Sequence, residues 1–202
     1  MEGTLDISKK VKVGRWWFQR RSITPLPLFL LMILLPPQIQ LTEGQLTTVV
    51  LGIVLAECLR IWAVGFAGSA TRTRGDSVPA LVHAGPFRFV RNPLYVANIA
   101  MYSLAGVLFG NVWLAVATLA FSSIQYTFIV AFEEETLRKT FGKPYVEYCQ
   151  KVNRWIPSVV PSIASSGHEF GFWKSIKSEK STFLSMGLVA VLYAVRAHFL
   201  KV

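Results

Sequence analysis

This sequence is poor in charge. Asp, Glu, Lys and Arg make up 16% of its 202 residues, against about 25% in an ordinary soluble domain. With 52% hydrophobic residues and a mean hydropathy of +0.44, the chain is too apolar for a cytosolic globule and far too apolar for a disordered segment. Cysteine is scarce as well: Cys58 and Cys149 form no CxxC and no Cys/His cluster, so neither a disulfide scaffold nor a structural zinc site is expected. His83, His168 and His198 lie far apart without HExxH spacing, and no metal centre is expected from them. No internal repeat or low-complexity tract is visible. The length allows one domain or two small ones.

What is present is long apolar runs. A helix crossing a bilayer needs about 17–25 apolar residues, and five segments qualify or come close: 25–39, 46–67, 93–109, 112–132 and 182–199. The first is short and holds Pro36-Pro37, which end or kink a helix. Gly110-Asn111 alone separates the third from the fourth, so these two form an antiparallel hairpin. The chain therefore reads as all-α, a polytopic membrane helical bundle of about five transmembrane helices with a cytosolic pocket. It divides into an interfacial basic and aromatic segment 1–23, helices one and two over 24–67, a core over 68–160, and a linker with a last helix over 161–202. No secretory signal is expected, because the first apolar run starts after residue 23 with no small-residue cleavage site behind it.

The few charges are distributed unevenly. The formal net charge is +10. Eighteen of the 21 Lys and Arg fall in residues 1–23, in the loop before residue 93, and in 133–180. The links at 42–44 and 110–111 carry none. If all five segments cross, these basic residues share one side, and the positive-inside rule makes it cytoplasmic. The N-terminus and the pocket are then expected inside and the C-terminus outside. Topology explains the basic excess, so nucleic acid is not an expected partner; the bilayer is. The mixture of cations and aromatics from Lys9 to Arg21 reads as an interfacial anchor on anionic lipid or as an ordinary positive flank with an aromatic belt.

Three clusters carry chemistry. Glu57 and Arg60 sit inside the second apolar run, three residues apart on one helix face, and read either as the polar wall of a cavity or as a structural pair with Arg60 snorkelling. Around the third helix start, Gly85-Pro86 marks a turn and Asn92-Pro93 marks a helix beginning, with Asn as N-cap. The free N–H groups there, with Arg88 and Arg91, suit a carboxylate or phosphate. Glu133-Glu134-Glu135 are expected at the C-terminal end of the fourth helix, where they oppose the dipole and each other; they read as a site for a cation or a proton, or as a solvated turn offset by Arg138 and Lys139. Hairpin logic brings Asn92–Tyr95 and Glu133–Glu134 to one membrane face, with Phe87 and Tyr95 as aromatics. Short helices are expected over 137–141 and 145–152, broken at Gly142-Lys143-Pro144, with Tyr145, Tyr148 and Trp155 covering the pocket.

The elements Leu81-Val82-x-x-Gly85-Pro86-Phe87, Arg91-Asn92-Pro93-x-Tyr95, the Glu-Glu pair and Phe141-Gly142-x-x-Tyr145-x-x-Tyr148, in this order, resemble the isoprenylcysteine carboxyl methyltransferases and the related phospholipid methyltransferases over residues 79–157. The resemblance implies an integral membrane enzyme using S-adenosyl-L-methionine on a lipidic or small lipophilic acceptor. Carried over by position, it implies cofactor contacts at Pro79, Ala80, Leu81, Val82, Phe87, Asn92, Pro93, Leu94, Tyr95, Glu133 and Glu134, and catalytic roles for Glu134, Tyr95 and Arg91. For a lipid amine, Glu134 or Glu135 is the candidate base. Three positions depart from the pattern: Asn92 and Pro79 stand where the family commonly has His, and Ile129 where the prenylcysteine enzymes have Arg. Carboxylate, amine and thiol acceptors all stay open. No GxGxxG loop is present, against a soluble Rossmann-type methyltransferase. Two other readings remain: a sterol-reductase-like enzyme binding NADPH, which would want more arginines than acids in its pocket, and a membrane subunit without catalysis.

Overall fold

The computed structural model describes residues 2–68 and 80–200, and among them there are helices and no strands. The helices are α1 (Glu2–Arg20), α2 (Leu26–Leu34), α3 (Glu43–Ala67), α4 (Pro93–Leu108), α5 (Val112–Phe141), α6 (Lys143–Lys151), α7 (Phe172–Ser178) and α8 (Lys180–Leu200), with a 3-10 turn over Gly85–Arg88. Three helices, Glu43–Ala67, Val112–Phe141 and Lys180–His198 of α8, are long and apolar enough to cross a membrane. Apolar α4 has 16 residues, about 24 Å of helix. The chain is an integral membrane helical bundle.

The local signals explain the element boundaries. Thr42 starts α3 with a capping box: its hydroxyl accepts from the Gln45 N–H at 3.3 Å, and the Gln45 side chain accepts from the Thr42 N–H at 3.0 Å. This sets the start three residues before the expected 46. Gly110 makes the α4–α5 turn at φ +70°, where a Cβ would lie 2.6 Å from the Ile39 carbonyl oxygen; only glycine fits that turn without strain. Asn111 caps α5 by accepting from the Leu114 N–H at 3.0 Å. The two helices then run antiparallel, as so short a link dictates.

Helix α5 corrects one expectation. It runs to Phe141 and stops at Gly142, φ +58°, nine residues past the expected end. Glu133–Glu135 are therefore interior helix residues, and the expected separate helix over 137–141 is the last turn of α5. That turn holds Arg138 and Lys139, the charge sign a helix C-terminus favours. The triplet opposes no dipole.

The first apolar segment is corrected in kind. Only Leu26–Leu34 is helical, about 14 Å long, and Leu35 ahead of Pro36-Pro37 turns extended at φ −80°, ψ 140°, as residues preceding proline do. The segment still covers the height of the hairpin. Thr24 accepts from the Gln125 amide at 2.6 Å, about 20 Å along α5 from its first residue. Gln38 and Ile39 donate their N–H groups to the Gly110 carbonyl at 2.7 and 3.1 Å. A helix broken at membrane depth leaves carbonyls without partners, and here Arg196 of α8 donates to the Met32 carbonyl and, at 2.5 Å, to that of Leu35. Met32, fully buried, packs with Ala105, Phe109 and Leu114 and fixes α2 against the hairpin turn.

At the other end of the hairpin, α1 packs along α5. Phe18 buries with Tyr126, Ile129 and Phe132. A strap, residues 153–166, lies over residues 83–91, and backbone N–H groups donate across it: Arg91 to the Asn153 carbonyl at 2.8 Å, Ser158 to that of Phe89 at 3.0 Å and Ser162 to that of Arg88 at 2.9 Å. Arg88 adds a side-chain bond to the Ile163 carbonyl at 2.8 Å. The strap holds the 3-10 turn in place. Gly85 in that turn takes φ +54°, and a Cβ there would meet the Phe66 ring at 2.2 Å.

Candidate active site

A cavity of about 850 Å³ opens among the 3-10 turn, α4, α5 and α6 and continues between α3, α4 and α8. Ala80, Leu81 and Val82 line it from the stretch ahead of the turn, Phe87 from the turn, Arg91, Asn92, Pro93, Leu94 and Tyr95 from the start of α4, and Glu133 and Glu134 from α5. Pro79, the remaining expected contact, lies outside the described residues. Glu135 does not reach this cavity; it borders a shallow groove with Lys12 and Arg15 and pairs with Arg138 at 3.6 Å and Lys139 at 3.3 Å.

The two walls meet because the hairpin aligns them. The Tyr95 hydroxyl donates to Glu133 Oε1 at 2.7 Å, and its ring stacks on Tyr126 with centroids 4.6 Å apart. Arg21 of the α1–α2 link stands 3.9 Å from the same Glu133 oxygen. Arg91 lies 3.3 Å from Glu134 Oε1. Glu134 also receives both guanidinium donors of Arg154, Nε at 3.0 Å and Nη2 at 2.5 Å, the bidentate geometry typical of arginine and carboxylate. Glu134 is therefore the clasp between α5, the entry to α4 and the strap. Asn92 stands at the N-cap position, but its side chain makes no capping bond; it donates instead to the Arg154 carbonyl at 3.1 Å. This corrects the capping role read for it.

Tyr145 and Tyr148 of α6 border the cavity and are 2% and 4% exposed. Tyr148 donates to the Phe87 carbonyl at 2.8 Å. Burial drives both phenols well above the usual tyrosine range, with the negative charge of Glu134 acting in the same direction. Each is a neutral donor at any physiological pH. Trp155 does not cover the pocket as expected; it packs on the Phe18 cluster between α1 and α5.

Arg60 borders the cavity, as the cavity-wall reading of Glu57 and Arg60 had it; Arg21, Tyr126, Asn98, Glu179 and Thr182 line it too and escaped the sequence. Arg60 pairs with Glu57 at 3.2 Å, the neutralisation that their spacing allows, and with Glu179 at 2.8 Å, a partner 119 residues away. Among the described residues no group of His, Cys, Asp and Glu is arranged to hold a metal ion.

A bundle of helices long and apolar enough to cross a membrane, lining a cavity that is charged and aromatic at one end and apolar at the other, defines a membrane protein with a candidate small-molecule site. The family model for phospholipid methyltransferase matches residues 44–144, half of the chain, and the chain belongs to that family. It is 29% identical over 114 residues to protein-S-isoprenylcysteine O-methyltransferase B of Arabidopsis thaliana, covering 53% of this chain and 56% of that one. It is 28% identical over 114 residues to a probable protein-S-isoprenylcysteine O-methyltransferase of Oryza sativa subsp. indica, covering 53% and 58%; the counterpart in subsp. japonica matches equally. The chain thus spans somewhat over half the length of these relatives. No solved structure matches it.

Proposed function

We propose that this protein is an S-adenosyl-L-methionine-dependent methyltransferase whose acceptor is a lipid or small lipophilic molecule. The observation that carries the reading is the paired arrangement at the cavity mouth, Tyr95 on Glu133 at 2.7 Å beside Arg91 near Glu134 at 3.3 Å, opening inward onto apolar helices. Membership of the phospholipid methyltransferase family and the names of the curated relatives support it.

The residues present fit this cofactor. It combines an ammonium, a carboxylate, a sulfonium and a purine, and the mouth offers the Glu133 carboxylate, the Arg91 guanidinium and the rings of Phe87, Tyr95 and Tyr145. Aromatic faces attract a sulfonium as they do other cations. A volume of about 850 Å³ lies within the usual range of cofactor sites. When bound, S-adenosyl-L-methionine supplies an electrophilic methyl group. In this reading Glu133 and Arg91 bind the ammonium and the carboxylate of the amino-acid moiety, Tyr95 borders the reacting centre and fixes Glu133, and Glu134 positions Arg91 through its clasp with Arg154. The strap and α6 exclude water, so that alignment in a dry site provides most of the rate. The basic residues of α1, of the strap and of the ends of α5 and α6 gather at the mouth end, which supports a cytoplasmic N-terminus and mouth.

The test is calorimetric titration of the purified full-length protein with S-adenosylhomocysteine and, separately, NADPH. Saturable binding of the first alone is expected, weakened about tenfold or more in Glu133→Ala and Tyr95→Ala, the loss of one charge-assisted contact. Binding of NADPH alone would move the protein to the reductase reading; unchanged S-adenosylhomocysteine affinity in both variants would remove the site assignment.

A further inference from the structure

The strap over the cavity mouth carries three branched aliphatic side chains that point away from the protein. Ile156 is 75%, Val159 98% and Val160 67% exposed, between residues held to the mouth on either side. Further along, Phe170, Phe172 and Trp173 at the start of α7 are exposed as well. None of the six lies in a helix long enough to cross a membrane. A surface facing water rarely gathers so much aliphatic and aromatic area.

Both groups are fixed to the last two turns of α3. The Ser158 N–H donates to the Phe89 carbonyl at 3.0 Å, and the Phe89 ring packs on Trp62 with centroids 6.0 Å apart. The Gly171 N–H donates to the Gly65 carbonyl at 2.9 Å. The Phe170 ring packs on Phe66 with centroids 5.5 Å apart and lies so close over Gly65 that a Cβ there would stand 2.1 Å from it. Trp62 is itself exposed, so this side of α3 faces outward. A hydrocarbon layer of about 30 Å takes up about 20 residues of helix. Counted from Leu46, where the polar start of α3 ends, its far boundary falls close to Gly65. Helix α8 gives the same level independently, because its apolar crossing stretch begins at Lys180, directly after α7. Exposed Lys174, Lys177 and Lys180 follow the aromatic residues, the mixture of a segment lying along a membrane surface.

We propose that Ile156, Val159 and Val160, with Phe170, Phe172 and Trp173, form a docking edge that seats in the hydrocarbon boundary of the leaflet at the cavity mouth. Lipid is the occupant because two helices, α3 and α8, place the edge at bilayer depth, where an aqueous partner does not reach. The aliphatic tip is bracketed by bonds to the mouth. On one side Asn153 accepts from Arg91 and Arg154 donates to Glu134; on the other, Ser162 donates to the Arg88 carbonyl and Ile163 accepts from the Arg88 side chain. The strap thus lies between the site it covers and the leaflet. The inference holds whichever cofactor the cavity takes.

The experiment places a nitroxide at Val159→Cys and, separately, at Trp173→Cys in a Cys58→Ala, Cys149→Ala background. Both positions are exposed, so the label displaces no core packing. The full-length protein is held in phosphatidylcholine nanodiscs, and collision of the nitroxide with oxygen, which concentrates in hydrocarbon, is compared with collision with a water-soluble nickel chelate. Oxygen is expected to exceed the chelate several-fold at both positions. At Lys139→Cys, 73% exposed and about 40 Å along α5, the order is expected to reverse. In about 1 M salt, where charge interactions are screened beyond about 3 Å, the ratios at 159 and 173 are expected to hold, since apolar contact carries the docking. Dominance of the chelate at either position means an edge in water and overturns the proposal. Protection from both reagents means an edge covered by protein, a second copy of the chain included, and overturns it too. A ratio that collapses in salt would leave the lysines, not the apolar edge, as what holds the segment to the membrane, with the same result.

Discussion

Three adjacent glutamates with the same chemistry have three different surroundings. Glu133 holds Tyr95, Glu134 holds two arginines, and Glu135 pairs with Arg138 and Lys139 on an exposed face. Their replacement costs should differ accordingly. Glu134→Ala leaves Arg91 and Arg154 without their carboxylate, and a loss of about 1–3 kcal/mol is expected, below the full cost of a broken buried pair because Arg154 is half exposed. Glu135→Ala should stay within about 0.5 kcal/mol, as exposed helix pairs do. Thermal unfolding of the two variants in one detergent checks this; equal losses would mean that the clasp contributes nothing. The sequence shows that acids collect here and, through the hairpin, that they meet Tyr95. It cannot rank the three, because Glu134 finds Arg154 through the strap, 20 residues on, and no local pattern encodes that return.

Among the elements, α4 and α5 were the most legible, since a two-residue link between apolar runs permits one arrangement. The end of α5 was not: Glu133 to Lys139 is polar enough to read as loop, yet the turn is paid for by contacts with α1 and the strap. The first apolar segment was legible as one that Pro36-Pro37 would end or kink, but the prolines state where helix stops without stating what satisfies the carbonyls it leaves. That answer, Arg196, comes from the far end of the chain. Arg196→Leu strips partners from the Met32 and Leu35 carbonyls, and a destabilisation of about 1–3 kcal/mol is expected. Arg196→Lys should restore less than half, since an ammonium does not reach two carbonyls as a fork does. Full rescue by lysine in a denaturation series would show that charge alone matters there.

For the whole molecule, the bonds of Thr24 to Gln125 and of Gln38 to Gly110 make segment 24–39 traverse the bundle although only nine of its residues are helical. Lys9 and Lys143 should therefore lie on one face of the membrane and Gly44 on the other. Single cysteines at these three positions, placed in a Cys58→Ala, Cys149→Ala background, should react with an impermeant thiol reagent accordingly: Lys9→Cys and Lys143→Cys from the cytoplasmic side, Gly44→Cys from the opposite side. Labelling of Lys9→Cys together with Gly44→Cys would show that the broken segment does not cross.

The cavity is assembled from two stretches of very different standing. Its charged mouth comes mostly from residues inside the 44–144 family match, while Met186, Val189 and Ala190 of α8, beyond it, complete the apolar end. The side chains that α8 turns toward the cavity are separate from those that tie it to α2, so a change at Met186, Val189 or Ala190 alters the shape of the apolar end and leaves both the Tyr95–Glu133 pair and the Arg196 bonds in place.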